Sequence, residues 1–370
     1  MAEILAPQQL AVGVRGGASI LVHGMRLLLE LHTDFVLVKL DLRNGYNAIS
    51  RAALLRRLHR HPRLAHLVPI IHALMRGETD LLVGGRRLFA GDPSGRGDSS
   101  QGTQQGAPPS SGIFCIGIHD ELVALDAEVA PFGGAARAVM DDVYVAGPPA
   151  IVFPAIQRFM DSLREFADLE VQIGKLACIG GADYDAHECP WRRRLGAPVG
   201  GAEVDGEFAA GLLVAGVPLG SDEYVEHVLG EVVGGIESYI DYTVTELRAC
   251  RHSTWTSLYY SAQSRFDYML RHVPPVATRP FARRLDAALL AAAESLGYVG
   301  VLGDSVTARR FRLPARMRGC GVRRRWSMAP ACYAASFVES AAVMVRPDAR
   351  AAWGAPAVAD PRSFFLGLYS

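Results

Sequence analysis

Apolar runs of strand length and apolar stripes of helical spacing follow one another along this chain, separated by glycine- and proline-rich breaks. The stretch "ILVHGMRLLLELH", behind the turn-forming "VGVRGGAS", predicts a helix ending near residue 33. Residues 34–42, "DFVLVKLDL", are β-branched and apolar, which predicts a buried strand ending at Asp41. Ser50 suits an N-cap, and Leu54, Leu55 and Leu58 fall on one side of a helix over about 50–60. Arg56, Arg57 and Arg60 lie elsewhere on it and read as a solvated basic face. Residues 80–91 predict a hairpin around Gly84-Gly85. A polar loop through "DPSGRGDSSQGTQQGAPPSSG" follows, and loops of that length in compact domains are usually functional or disordered. Residues 113–130 read as one apolar helix, and 137–146 as two short strands meeting at Asp141-Asp142. A helix over about 151–167 carries Ile156, Phe159, Met160, Leu163 and Phe166 on one face. "LEVQIGKLACIG" reads as strand and turn, and "GLLVAGVPLG" as one more apolar strand ending in a turn.

Beyond residue 221 the pattern turns helical. Val225, Val228, Leu229, Val232 and Ile236 recur behind Ser221. Phe281, Leu285, Leu289, Ala292 and Leu296 do so behind Thr278, with Pro280 in the first turn. The expected class is α+β, in three parts: a mixed region over 1–220, a helical region over 221–345, and a loosely ordered Ala/Pro/Arg-rich tail over 346–370.

Composition narrows the picture only a little. With 370 residues, 50% hydrophobic and 21% charged, the chain has ordinary globular usage. Its formal net charge is zero, so any nucleic-acid partner must be held by local patches. The six cysteines lack CxxC spacing and read as reduced, mostly buried thiols in an intracellular compartment; Cys178, His187 and Cys189 form only a weak zinc candidate. No signal peptide and no membrane-length apolar run is visible.

Chemistry concentrates in three carboxylates. Asp41 closes one apolar run, and Asp141-Asp142 sits between two others. Carboxylates presented by neighbouring strands can hold two Mg²⁺ ions, the requirement of nucleotidyl transfer. Adjacent residues of an extended strand point to opposite faces, so Asp141 and Asp142 both reach such a site only from a tight turn.

Five segments in order resemble the reverse transcriptase domain of non-LTR (LINE-like) retrotransposons. "LDLRNGYNAISR" is similar to the first palm motif, an Asp followed five residues later by an aromatic. "GTQQGAPPSSGIF" is similar to Gly-x-x-Gln-Gly-x-Pro, "VMDD" to Tyr-x-Asp-Asp with Val139 in place of Tyr, "VQIGKLACIG" to the fourth motif, and "VAGVPLG" to the turn near the primer end. "LPARMRGCGVR" and "APACYAAS" resemble a further region beyond the polymerase core. The resemblance implies a right-hand polymerase-like palm with partial fingers over 1–220, followed by a helical thumb-like region. It implies an RNA-directed DNA polymerase with two Mg²⁺ ions (Mn²⁺ as a substitute), an RNA template, a DNA primer and dNTPs, acting in the nucleus. Asp41, Asp141 and Asp142 would be the metal-binding and catalytic carboxylates. Tyr46 would sit beneath the incoming sugar and clash with a 2′-OH. Gln105 and Gly106 would meet the template–nucleotide pair, and Lys175 the triphosphate. The family's fingers begin upstream of "APQQLAVGVRGG", so the chain is expected to be N-terminally truncated.

Eight arginines, Arg309, Arg310, Arg312, Arg316, Arg318, Arg323, Arg324 and Arg325, fall in an acid-free stretch and read as a phosphate-contacting surface. Arg192-Arg193-Arg194 is a weaker candidate of the same kind. Two other readings stand beside polymerisation: a catalytically silent retroelement relic that at most binds nucleic acid, and an RNA-directed RNA polymerase. Tyr46 opposes the latter.

Overall fold

The computed structural model describes residues 1–344 except 77–78, 81, 84–85, 88–97, 100, 104–105 and 303–304. Gln105 and the tail over 346–370 lie outside the described residues. Helices are combined with antiparallel sheets. The chain divides into two compact units, one built on Met1–Gly200 and the other on Gly201–Ala342. The expected boundary at 220 falls inside the second unit, after a small sheet that belongs with the helices.

The first unit is organised by a four-stranded sheet of β1 (Val36–Asp41), β2 (Ala135–Val139), β3 (Asp142–Gly147) and β4 (Ala177–Gly180), in the order β2-β3-β1-β4. All neighbours are antiparallel. β1 is the expected buried strand: Val36, Val38 and Leu40 are fully buried in the main core, together with Ala136, Ala138, Val143 and Val145. Helices Ser110–Gly117, His119–Val129 and Pro149–Ala167 supply much of the rest of that core, with Leu54 and Leu58 of helix Arg51–Arg60. Helix Gly17–Leu31 packs on β1, β2 and β3 with Ile20, Leu21, Val22 and Met25 buried. Burying an aliphatic side chain stabilises by roughly 1.5–3 kcal/mol, so this two-sided cover fixes the sheet firmly.

Three expectations in this unit need correction. The single helix over 113–130 is broken at Ile118 (φ −115°, ψ 3°). Arg57 donates to the Gly117 carbonyl there and pairs with Glu121, which stands past the break. Arg57 is therefore buried, not part of a solvated face. Phe166 is 52% exposed, because the stripe Ile156, Phe159, Met160, Leu163 continues to Ala167 as the helix advances 100° per residue. Ser50 caps as expected, its Oγ accepting from the Ala53 N–H at 3.3 Å. Leu82–Val83 pairs with Arg86–Arg87, the hairpin expected there; Gly84-Gly85 lies outside the described residues.

In the second unit β5 (Gly201–Val204), β6 (Glu207–Val214) and β7 (Val217–Gly220) form a three-stranded antiparallel sheet. "GLLVAGVPLG" is thus not one strand but a hairpin. Ala215 and Gly216 both have positive φ (47° and 80°), as do Asp205 and Gly206 (51° and 86°), the backbone required of two-residue hairpin turns. Ser221 caps helix Asp222–Glu246, whose buried stripe is Tyr224, Leu229, Val233, Ile236 and Ile240; Val225, Val228 and Val232 are half-buried flanks. Helix Pro275–Ser295 starts before Thr278, so Pro280 lies inside it. No described helix is long and apolar enough to cross a membrane.

Candidate active site at the end of the sheet

Asp41 is the last residue of β1 and stands directly opposite Asp142, the first of β3. Opposed residues of an antiparallel pair project to one face with Cβ atoms about 4.5–5.5 Å apart. The register therefore brings together two carboxylates separated by about half of the unit's sequence. Asp141 occupies the second position of the two-residue turn Met140-Asp141 that joins β2 to β3. The tight turn expected from the sequence is present.

That turn is held by residues the sequence did not single out. Met140 has φ +60°, a conformation L residues rarely adopt. Gln9, fully buried, grips it from both sides: its Nε2 donates to the Met140 carbonyl at 3.0 Å, and the Met140 N–H donates to its Oε1 at 3.2 Å. The Leu10 N–H donates to the Ala138 carbonyl and the Ala138 N–H to the Gln8 carbonyl, both at 2.8 Å, so this segment runs along the free edge of β2. Deeper along β2, Arg137 is fully buried and donates to Asp126 Oδ1 at 2.6 Å. Asp126 also accepts from the Ala136 N–H and from Gln8 Nε2, each at 2.9 Å. Burial pulls the Arg137 pKa down and the Asp126 charge opposes it. The only sequence signal for either device was a polar residue inside an apolar run.

Lys175 Nζ lies 3.3 Å from Asp41 Oδ2, and Lys39 Nζ lies 3.5 Å from Asp142 Oδ1. The Gln172 N–H donates to the Asp41 carbonyl at 2.8 Å and so sets the 3₁₀ turn Ile173–Lys175 beside the carboxylates. Asp141 has a carboxyl held above its ordinary value of 3.8, first by burial and then by the like charges of Asp142 and Asp41. A backbone hydrogen bond to the carboxylate, and more weakly the Lys175 charge, offset this only in part.

A raised carboxyl pKa has a defined sign for stability. Between 3.8 and the raised value, the folded state binds more protons than the unfolded state, so Asp141 lowers stability as pH rises through that window. In metal-free buffer, Asp141→Asn is therefore expected to melt above the wild type at pH 7, with the difference vanishing below pH ~4. Thermal melts at both pH values check this; a variant less stable at pH 7 would contradict it.

Tyr46 sits on the short helix Gly45–Ala48, its ring stacked on Phe114 at 4.5 Å and its hydroxyl donating to Ser111 Oγ at 3.3 Å. Burial raises its pKa, and the Asp141 charge adds to the rise, as it does for the Cys115 thiol, which burial pushes to about 12. Both groups thus feel the Asp141 charge. The glycine-rich loop docks on this segment: the Thr103 N–H donates to the Tyr46 carbonyl at 2.6 Å and the Gly102 N–H to the Ile49 carbonyl at 2.9 Å. A Cβ on Gly102 would lie 2.4 Å from the Tyr46 carbonyl oxygen, which requires glycine there. Gly106 has φ +87°.

The structure thus brings Asp41, Asp141, Asp142 and Lys175 to one sheet end, with Tyr46 beside them. Carboxylate oxygens are the ligands a hard divalent cation prefers. Among the described residues no three of His, Cys, Asp and Glu close around one point, and Asp41 and Asp142 each pair with a lysine. The Cys178, His187, Cys189 candidate likewise forms no metal group among the described residues: burial pushes the Cys178 thiol to about 12, and Cys189 Sγ accepts from the Arg192 N–H. Arg192 is committed to the Ala186 and Ala197 carbonyls.

The arginine stretch belongs to the second unit and divides by burial. Arg309, Arg310, Arg316 and Arg318 are exposed, and Arg312, Arg323 and Arg324 half-buried. Arg325 is fully buried, its Nη1 3.0 Å from Asp286 Oδ1, and cannot belong to a surface. Arg323 pairs with Asp267 at 2.7 Å.

No protein-family model and no curated protein matches the chain. Among solved structures it is similar to apo telomerase from Candida tropicalis, with TM-score 0.41 and 11% identity over 93% of this chain and 57% of that one. It is also similar to telomerase from Candida albicans in complex with a TWJ fragment of telomeric RNA, with TM-score 0.36 and 10% identity over 94% and 53%. A C-terminally truncated form of the Candida tropicalis enzyme gives TM-score 0.30 and 16% identity over 48% and 37%. The chain spans little more than half of the longest-matched of these chains, and at such TM-scores the likenesses fix neither its fold nor its function.

Proposed function

We propose that this chain is an RNA-directed DNA polymerase of a non-LTR retrotransposon, with the sheet end as its catalytic centre. The observation that carries the reading is the register Asp41↔Asp142 with Asp141 on the adjoining turn, reached through the five ordered motifs. In this reading the first unit contributes the palm and the helical second unit the thumb. Asp41 and Asp141 would hold the cations, with Asp142 completing or supporting the site. Two Mg²⁺ ions, when bound, would supply activation of a primer 3′-OH and neutralisation of the triphosphate. Lys39 and Lys175 pair with Asp142 and Asp41, and in this reading Lys175 would turn to the triphosphate instead. Tyr46, fixed by Phe114 and Ser111, gives the nucleotide site a rigid wall against a 2′-OH. Partners would be an RNA template and a DNA primer, and the work nuclear.

The test is extension of oligo(dT) on poly(rA) with dTTP and Mg²⁺; incorporation supports the reading. Folded protein that incorporates nothing favours the second reading, a silent relic that only binds nucleic acid. The two lysine pairs are what favour that alternative, since they neutralise two of the three carboxylates. Tyr46→Ala is expected to admit ribonucleotides, raising rNTP incorporation relative to dNTP by about tenfold or more, while Tyr46→Phe keeps the selectivity. Unchanged preference in the alanine variant, measured with paired rNTP and dNTP assays, would sink the steric role.

A further inference from the structure

We propose that Arg279, Arg283 and Arg324, gathered around the indole of Trp326, form a clamp for the phosphate backbone of a nucleic-acid strand. Their guanidinium carbons lie 5.9, 5.1 and 5.7 Å from the Trp326 ring centroid. Arg279 and Arg283 are exposed neighbours one turn apart on helix Pro275–Ser295; Arg324 and Trp326 are half-buried. Arg279 and Arg283 belong to no motif.

The arrangement matters because of what the arginines do not touch. Nearby arginines are spent on carboxylates: Arg284 on Glu237, Arg323 on Asp267, Arg325 on Asp286. Among the described residues, none of the three around Trp326 is in an ion pair. An arginine held near an aromatic ring by cation–π attraction keeps its N–H donors for an anion, whereas a carboxylate would occupy them. The indole therefore orients three guanidiniums without cancelling their charge. Sharing one ring, the three charges lie at most about 12 Å apart, comparable to a Debye length (~10 Å at 0.1 M salt). Like charges one turn apart on a helix oppose each other. A run of phosphates relieves that repulsion and accepts the forks bidentately. A nucleic-acid strand is the polyanion favoured, a choice that rests on the polymerase reading above.

The test is binding of labelled single-stranded RNA and of labelled poly(rA)/oligo(dT) to the full chain, in EDTA, across a salt series. The triple variant Arg279→Gln/Arg283→Gln/Arg324→Gln is expected to reduce the slope of log K against log salt by roughly 2–3, since each phosphate contact contributes about 0.7 to 0.9. Trp326→Leu leaves all charges but removes the platform, and is expected to weaken binding about tenfold with a small change in slope. Trp326→Phe should retain most of the affinity. An unchanged slope in the folded triple variant would overturn the proposal. So would loss of binding to anionic lipid vesicles or a phosphopeptide with RNA binding intact, which would give the cluster to another polyanion. Because binding is read without metal, a chain that binds through this cluster yet extends no primer would sink the catalytic reading and leave this one standing.

Discussion

Asp141→Asn is expected to lower dTTP incorporation on poly(rA)/oligo(dT) by at least about a thousandfold, roughly 4 kcal/mol of transition-state stabilisation. The substitution keeps the shape of a half-buried side chain on a turn pinned by Gln9 and removes only its charge. Its effect on stability has the opposite sign at neutral pH, because burial, and then the like charges of Asp142 and Asp41, oppose ionisation there. A variant that is inactive yet melts no lower than the wild type is the signature of a carboxylate kept for chemistry and not for folding. Loss of activity together with loss of fold would remove that distinction, and a variant that still extends primers at near wild-type rate would show that Asp141 holds no essential cation.

The largest effect on stability is expected away from the carboxylates. Asp126→Ala leaves the fully buried Arg137 without its carboxylate and also strips acceptors from Ala136 and Gln8. Breaking a buried ion pair on one side costs about 3–5 kcal/mol. For a unit of this size that is a fall in melting temperature of roughly 6–20 °C. The double variant Asp126→Leu/Arg137→Met, which removes both charges, should recover much of the loss. Urea or thermal unfolding checks both; a cost below about 1 kcal/mol for Asp126→Ala would mean that the arginine finds another partner. Since Asp126 ties its helix to Arg137 and Ala136 on the strand leading into the Met140-Asp141 turn, Asp126→Ala should also reduce activity through positioning.

Much of the first unit was legible because its signals are local. The apolar run before Asp41, the Ser50 cap and the helical stripe ending at Leu163 each follow from side-chain chemistry within a few residues. The turn at Asp141 was legible from its consequence, since adjacent carboxylates of a straight strand diverge. What escaped was long-range or unusual in the chain. Gln9 meets Met140, and Gln8 meets Asp126, across more than a hundred positions, and no period connects them. Arg57 and Arg325 looked like surface charges because their partners, Glu121 and Asp286, lie on other helices. The hairpin at Ala215-Gly216 was read as one strand because alanine is an uncommon residue for a positive-φ turn position. The opposition of Asp41 and Asp142 is set by strand register, which the apolar pattern constrains but does not number.

The most direct measurement counts Mn²⁺ ions bound by the full chain in the presence of poly(rA), a dideoxy-terminated oligo(dT) primer and dTTP, with the wild type and Asp141→Asn side by side. The blocked primer prevents turnover, so occupancy is read without chemistry. The expected result is two ions released together on substitution, or one lost and the other weakened by at least tenfold. Equal Mn²⁺ binding by the two proteins would contradict the assignment of the sheet end as the metal site.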